Sequence, residues 1–196
     1  MTRNSAQAAF RPEEAEEICR SCGAERLAWI SPEEIRTTGA FRISCEMNMC
    51  GQYGRSWSCP PALASIEELR EQILQFGSGL VFQADYPFAD AFDYEAMEAG
   101  ALAFYGLCRC IETGLRGLSP DILVLGAGSC RECRRCTYPD APCVRPQGPV
   151  LSLEAYGVDV TALCDTAGLP YAYTTEVVPY TGLALLPWQA PAASED

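Results

Sequence analysis

The chain of 196 residues contains no histidine and no lysine; all 14 basic residues are arginine. Without imidazole it has no Ser-His-Asp triad, no histidine general base and no mixed Cys/His zinc site. Without lysine it has neither a Schiff-base amine nor a P-loop. Positive charge is also scarce: acids outnumber bases 26 to 14, for a net charge of −12. That balance argues against nucleic acid or an anionic membrane surface as partners. No apolar run reaches the roughly eighteen residues needed to span a bilayer. The opening residues, MTRNSAQAAFRPEEAEE, lack the apolar stretch of a signal peptide, and a cytoplasmic location is expected.

What remains is ordinary in bulk and unusual in one respect. Apolar residues make up 48% and charged residues 20%, enough for a normal core, and the length suits one domain. We expect a single metal-binding domain over residues 1–187 and a loose Pro/Ala/acidic tail over 188–196. Hydrophobic spacing predicts helices at 12–22, 63–76, 92–115 and 152–167, with a short helical turn at Ser31–Glu34. Strands are predicted at 27–30, 41–44, 80–84, 121–126, 171–178 and 181–186, the last two joined through Pro179. This alternation predicts an α/β fold with a mostly parallel sheet flanked by helices, with room for one antiparallel edge.

The unusual respect is cysteine, at 12 residues. In a cytosolic chain such a surplus points to metal before disulfides. The clearer motif is Cys130-x2-Cys133-x2-Cys136-x6-Cys143, three thiols at i, i+3 and i+6 in a loop with a fourth beyond. Its start matches the CxxCxxC run of bacterial ferredoxins, although the last gap is longer and Val144, not proline, follows Cys143. An all-cysteine zinc site is the alternative. The second motif, Cys45-x4-Cys50-x8-Cys59-Pro60-Pro61, supplies three thiols and leaves one metal position open. Its alternative is a set of buried free thiols. Both loops are predicted to follow strands, so both should lie at the carboxyl edge of the sheet and could meet there.

Around the Cys130–Cys143 motif Arg131, Arg134, Arg135 and Arg145 outnumber Glu132 and Asp140, a local excess suited to an anionic cluster. Cys19, Cys22, Cys108, Cys110 and Cys164 fall in helices and read as small core residues; Cys164 in particular is a possible distant ligand. Gly126-x-Gly128 reads as a turn into the metal loop, since it lacks the third glycine of a dinucleotide site.

Taken together, Arg42…Cys45-x4-Cys50-Gly-x-Tyr53-Gly54…Trp57-x-Cys59-Pro-Pro, Gly128-x-Cys130-x2-Cys133-x2-Cys136…Pro142-Cys143-x-Arg-Pro and Glu154-Ala-Tyr-Gly157-Val-Asp159-Val resemble a prokaryotic family of predicted metal-binding proteins, domain of unknown function 2284. The resemblance covers roughly residues 25–187. It implies a metal-binding role for Cys45, Cys50, Cys59, Cys130, Cys133, Cys136 and Cys143, and supplies no reaction. The expectation from the sequence is one or two iron–sulfur clusters, with a [4Fe-4S] centre and zinc as the alternatives of first and second rank. Electron transfer with a redox partner protein is the leading role. A substrate-binding enzyme with an open iron and a zinc-stabilised interaction module are the competitors.

Overall fold

The computed structural model describes residues 11–90, 92–172 and 177–189. Five strands form one mixed sheet: β1 (Arg26–Ile30), β2 (Ser78–Pro87), β3 (Leu123–Gly126), β4 (Leu151–Ser152) and β5 (Val177–Leu186). Among the described residues five α-helices accompany it: α1 (Pro12–Ser21), α2 (Ala40–Glu46), α3 (Ile66–Ile73), α4 (Tyr94–Arg116) and α5 (Val160–Ala167). The strand order is β1-β2-β5-β3-β4.

The sheet is mostly antiparallel, which corrects the expectation of a mostly parallel one. Strand β5 pairs antiparallel with β2 over its full length, from Ser78 against Leu186 to Pro87 against Val177. It also pairs antiparallel with β3, and β1 is antiparallel to β2. Among the described residues only β3 and β4 pair in parallel. Strands β2 and β3, joined by α4, therefore do run in the same direction. The last strand fills the gap between them and turns both neighbouring pairings antiparallel. Pro179 sits in β5 at the end that extends past the β3 pairing, where its missing N–H removes no bond to β3.

Period-two alternation sends side chains to two cores. Leu80, Phe82, Val124, Ala184 and Leu186 face α1 and α4, meeting Ala15, Cys19, Phe104, Leu107, Ile111 and Leu115. Val81, Leu125, Leu183 and Leu185 face the opposite way, toward Leu69 and Ile73 of α3 and Leu163 of α5.

Local chemistry explains where element boundaries depart from expectation. The 41–44 segment alternates apolar and polar residues and was expected to be a strand, but it lies within helix α2. The Thr38 hydroxyl accepts from the Ala40 N–H, and the helical turn carries Arg42 to the carbonyls of Ala64 and Ala155. The expected helix at 152–167 divides. Ser152 joins the sheet, Gly157 takes φ +72°, and Asp159 caps a shorter α5 by accepting from the Ala162 N–H at 3.0 Å. Helix α3 begins where the capping box of Ser65 and Glu68 places it. Of the expected tail, Trp188 is half-buried against the α4-side core and its carbonyl accepts from Ser78 Oγ at 2.7 Å. Residues 190–196, and 173–176 of the expected strand at 171–178, lie outside the described residues.

Close approach at one glycine tests this sheet. A Cβ at Gly182 would overlap the Phe82 ring and press on the Leu125 carbonyl. Overpacking of this kind typically costs about 1–3 kcal/mol. Gly182→Ala should lower unfolding free energy by that amount in a urea titration, whereas Gly106→Ala, which meets open space on α4, should not destabilise.

Candidate metal centre

The two cysteine-rich loops meet, as expected, but only the second leaves the carboxyl end of a strand. It follows β3, whereas the first issues from helix α2. Their junction is made by the residues just before Cys59. Trp57 Nε1 donates to the Ala141 carbonyl at 3.0 Å, and its ring packs edge-on to Tyr138 at a 4.8 Å centroid separation. The Cys130 N–H donates to Ser58 Oγ at 3.0 Å, and Ser58 is bonded in turn to Ser56. Ser56 and Ser58 are buried, so this link excludes water from the point where the motifs touch.

Cys130, Cys133, Cys136 and Cys143 line one small cavity, together with Ser56 and Trp57 of the first loop. None of the four is bridged. Cys45 lies at the end of α2, Cys50 is exposed, and Cys59 is half-buried. Among the described residues, no three Cys, Asp or Glu side chains are grouped as the ligands of a single metal ion.

The electrostatics divide the thiols. Burial raises Cys59, the Ser58 hydroxyl opposes it, and the nearby Cys50, Cys45 and Cys130 raise it further. Cys59 therefore stands between the two motifs. Burial and Cys50 likewise raise Cys45, and burial followed by Cys130, Cys136 and Cys143 raises Cys133. Cys136 departs from this pattern. Burial is the largest single influence and opposes ionisation, but the N–H groups of Tyr138, Trp57 and Thr137 and the Ser56 hydroxyl together hold its thiol below the usual range. Mutual repulsion among facing thiolates is what a cationic centre relieves, so this donor set fits a metal held by sulfur alone.

The second loop has no helix or strand of its own and is fastened to α4. Arg145 pairs with Glu112 in the interior, and both side chains are less than a tenth exposed. Arg109 pairs with Glu132, the Tyr105 hydroxyl donates to Glu132 at 3.1 Å and lies 3.3 Å from Cys130 Sγ, and Arg131 pairs with Glu98. The positive excess read from the sequence is thus partly consumed: Arg131 and Arg145 are neutralised by acids of α4, and Arg134 and Arg135 are exposed. Sequence reasoning missed this anchor. Its signal is the spacing of Glu98, Tyr105, Arg109 and Glu112, which repeats at i, i+7, i+11 and i+14 and so shares one face of a helix.

The remaining cysteines separate from the site. Cys19 and Cys108 are fully buried in the α4-side core. Cys164 lies in the opposite core beside Gln83 and Thr181, which removes it as a distant ligand. Cys110 is exposed and bonded to Cys22, against the reading of both as packing residues.

With this geometry in place, the comparisons assign a class. The family model described as predicted metal-binding protein (DUF2284) matches residues 28–186, and the chain belongs to that family. Among curated proteins nothing matches the sequence. Among solved structures, an epoxyqueuosine reductase from Bacillus subtilis is similar at a TM-score of 0.40 and 14% identity, over 94% of this chain and 47% of that one. The chain spans about half the length of that protein. No helix among the described residues is long and apolar enough to cross a membrane.

The thiol chemistry is testable directly. In metal-free protein, Cys136 should react with iodoacetamide at lower pH than Cys59, because the fraction of thiolate rises earliest where ionisation is favoured. Ser56→Ala should move the Cys136 profile to higher pH, read by peptide mass spectrometry.

Proposed function

We propose that the chain is an iron–sulfur protein whose centre, of the [4Fe-4S] type, is held by Cys130, Cys133, Cys136 and Cys143, and that it transfers electrons to a partner protein. The observation that carries this reading is the single cavity lined by those four thiols. Four cysteines saturate a cubane, and a saturated centre suits electron transfer. When bound, such a cluster would supply one-electron chemistry. The chain's own contribution is to hold four thiols against their mutual repulsion, with backbone N–H groups aimed at Cys136. Hydrogen bonds to cluster sulfurs are among the means by which proteins set potential.

Cys45, Cys50 and Cys59 support a second, substrate-binding centre with one open position. Beside them is a groove of about 460 Å³ lined by Arg42, Glu46, Tyr53, Pro60, Pro61 and Glu67, so its lining carries charge of both signs. Ile43, Met47 and Met49 are exposed around the same loop, an apolar surface that equally suits a docking partner. Zinc held by the same four thiols is the competing reading, since a structural zinc also takes four cysteines, and the metal and sulfide content separates the two.

Protein produced and purified anaerobically should be brown, with about four iron and four acid-labile sulfide per cubane. Cys133→Ser should lose iron and lower Tm, because bound metal contributes to folding free energy; Cys19→Ser should retain iron. Stoichiometric zinc without sulfide, from cells supplied with iron, would overturn the reading. If Cys59→Ser loses all iron while Cys45→Ser loses none, the two loops share one cluster.

A further inference from the structure

On the face of α4 turned away from the cysteine-rich loops, Cys110 is exposed to solvent and bonded to half-buried Cys22, the residue that ends α1. The bond lies in an open surface groove of about 500 Å³, flanked by Ile18, Ser21, Thr113 and Gly114. Both cysteines of the bridge line that groove.

The bridge does not hold α1 in place unaided. Ala15 and Cys19 are fully buried, and Ile18 lies so close to Gly114 that a Cβ there would overlap it. Trp29 Nε1 also donates to Glu16 Oε1 at 2.8 Å. A structural staple is most valuable where such packing is poor, and here it is good. The same chain carries ten unbridged cysteines, whose motif members bind metal only as reduced thiolates. An environment that keeps those thiols reduced attacks an accessible disulfide as well, and disulfides in such environments are usually transient and catalytic or redox-sensing.

We propose that Cys22 and Cys110 form a thiol–disulfide exchange site whose reactant is a dithiol, either small or carried by a protein. A thiolate of the dithiol attacks the exposed Cys110 Sγ. The Cys22–Cys110 bond breaks, its electron pair goes to Cys22, which takes a proton from water, and a mixed disulfide joins the reactant to Cys110. The second thiolate of the reactant then attacks its own sulfur in that mixed disulfide. Cys110 is released and protonated, and the reactant leaves as a disulfide. Two electrons and two protons pass from the dithiol to the bridge, and oxidation of the pair by a disulfide reverses the steps. This inference does not rest on the identity of the metal.

The test uses the protein as purified, with its metal, equilibrated without denaturant against graded ratios of reduced and oxidised dithiothreitol. It is then quenched, alkylated and mapped by peptide mass spectrometry. Cys22 and Cys110 should become labelled together in one two-electron step while far-UV circular dichroism stays unchanged. Cys22→Ser should capture one glutathione at Cys110 when treated with oxidised glutathione. A bridge that stays protected until guanidinium unfolds the chain would overturn the proposal, as would free alkylation of both residues in protein never exposed to reductant. Iron and zinc measured on the same samples report the metal reading separately, because neither element enters the labelling of these two peptides.

Discussion

The ion pair between Glu112 and Arg145 fastens the irregular half of the molecule to the regular half. A loop without helix or strand cannot tie itself down with a hydrogen-bond ladder, so it must export side chains to a rigid element. Here it exports Arg145 into the interior, where Glu112 also takes Arg116 at 3.3 Å. Two desolvated charges gain little over an apolar pair of the same shape, but each is costly once its partner is gone. The pair is therefore a poor source of net stability and a strong source of position. It fixes the chain two residues beyond Cys143 against α4, and Tyr105 and Arg109 hold Glu132 between Cys130 and Cys133. These anchors fix the loop from the α4 side of the cavity that the four thiols line.

The first loop contributes to the same cavity from the other side. Trp57 covers Tyr138, Ser58 takes the Cys130 N–H, and Ser56 reaches Cys136. The motifs are thus mechanically one unit, although the thiols of each repel most strongly among themselves. Cys59 feels Cys45, Cys50 and Cys130 together, so charge on either group is registered by the other. The family to which the chain belongs is described as metal-binding, and this arrangement gives a physical account of why all seven thiols lie in two interlocked loops rather than in scattered pairs.

Much of this was legible in the sequence, for identifiable reasons. The helices with strong caps, α3 at Ser65 and α4 at Asp93, and the apolar run of β3 were placed to within a few residues. The cysteine spacings marked the loops that form the junction. The sheet's pairing was not legible, because the direction of β2 and β3 follows from the helix between them, while β5 is inserted by long-range contacts that local pattern does not encode. Helix α2 was misread because Phe41 and Ile43 alternate with polar residues. Ile43 is in fact 61% exposed, so its apolar character marks no core face. The anchoring stripe on α4 was passed over because attention to apolar period hides a polar period on the same helix.

That helix is the molecule's organising element, and its geometry explains the separation of its roles. At about 100° per residue, Phe104, Leu107, Cys108, Ile111 and Leu115 fall in one sector, and all are buried in the α4-side core. Glu98, Tyr105, Arg109 and Glu112 fall roughly 120° away and hold the cysteine-rich loop. Cys110 and Gly114 fall in the third sector, where α1 packs. One helix therefore presents a core face, a face toward the candidate metal centre and a face bearing the bridge, with no side chain serving all three. Two side chains each join two of them: Tyr105 is buried in the α4-side core with its hydroxyl on Glu132, and Arg109 links the face toward the candidate metal centre to the face bearing the bridge. It precedes Cys110 in the chain and borders the bridge groove, yet its guanidinium is committed to Glu132 beside Cys130. The face that bears the bridge is thus connected to the cysteine-rich loop both by the Arg109–Glu132 ion pair and, through Tyr105, by the core.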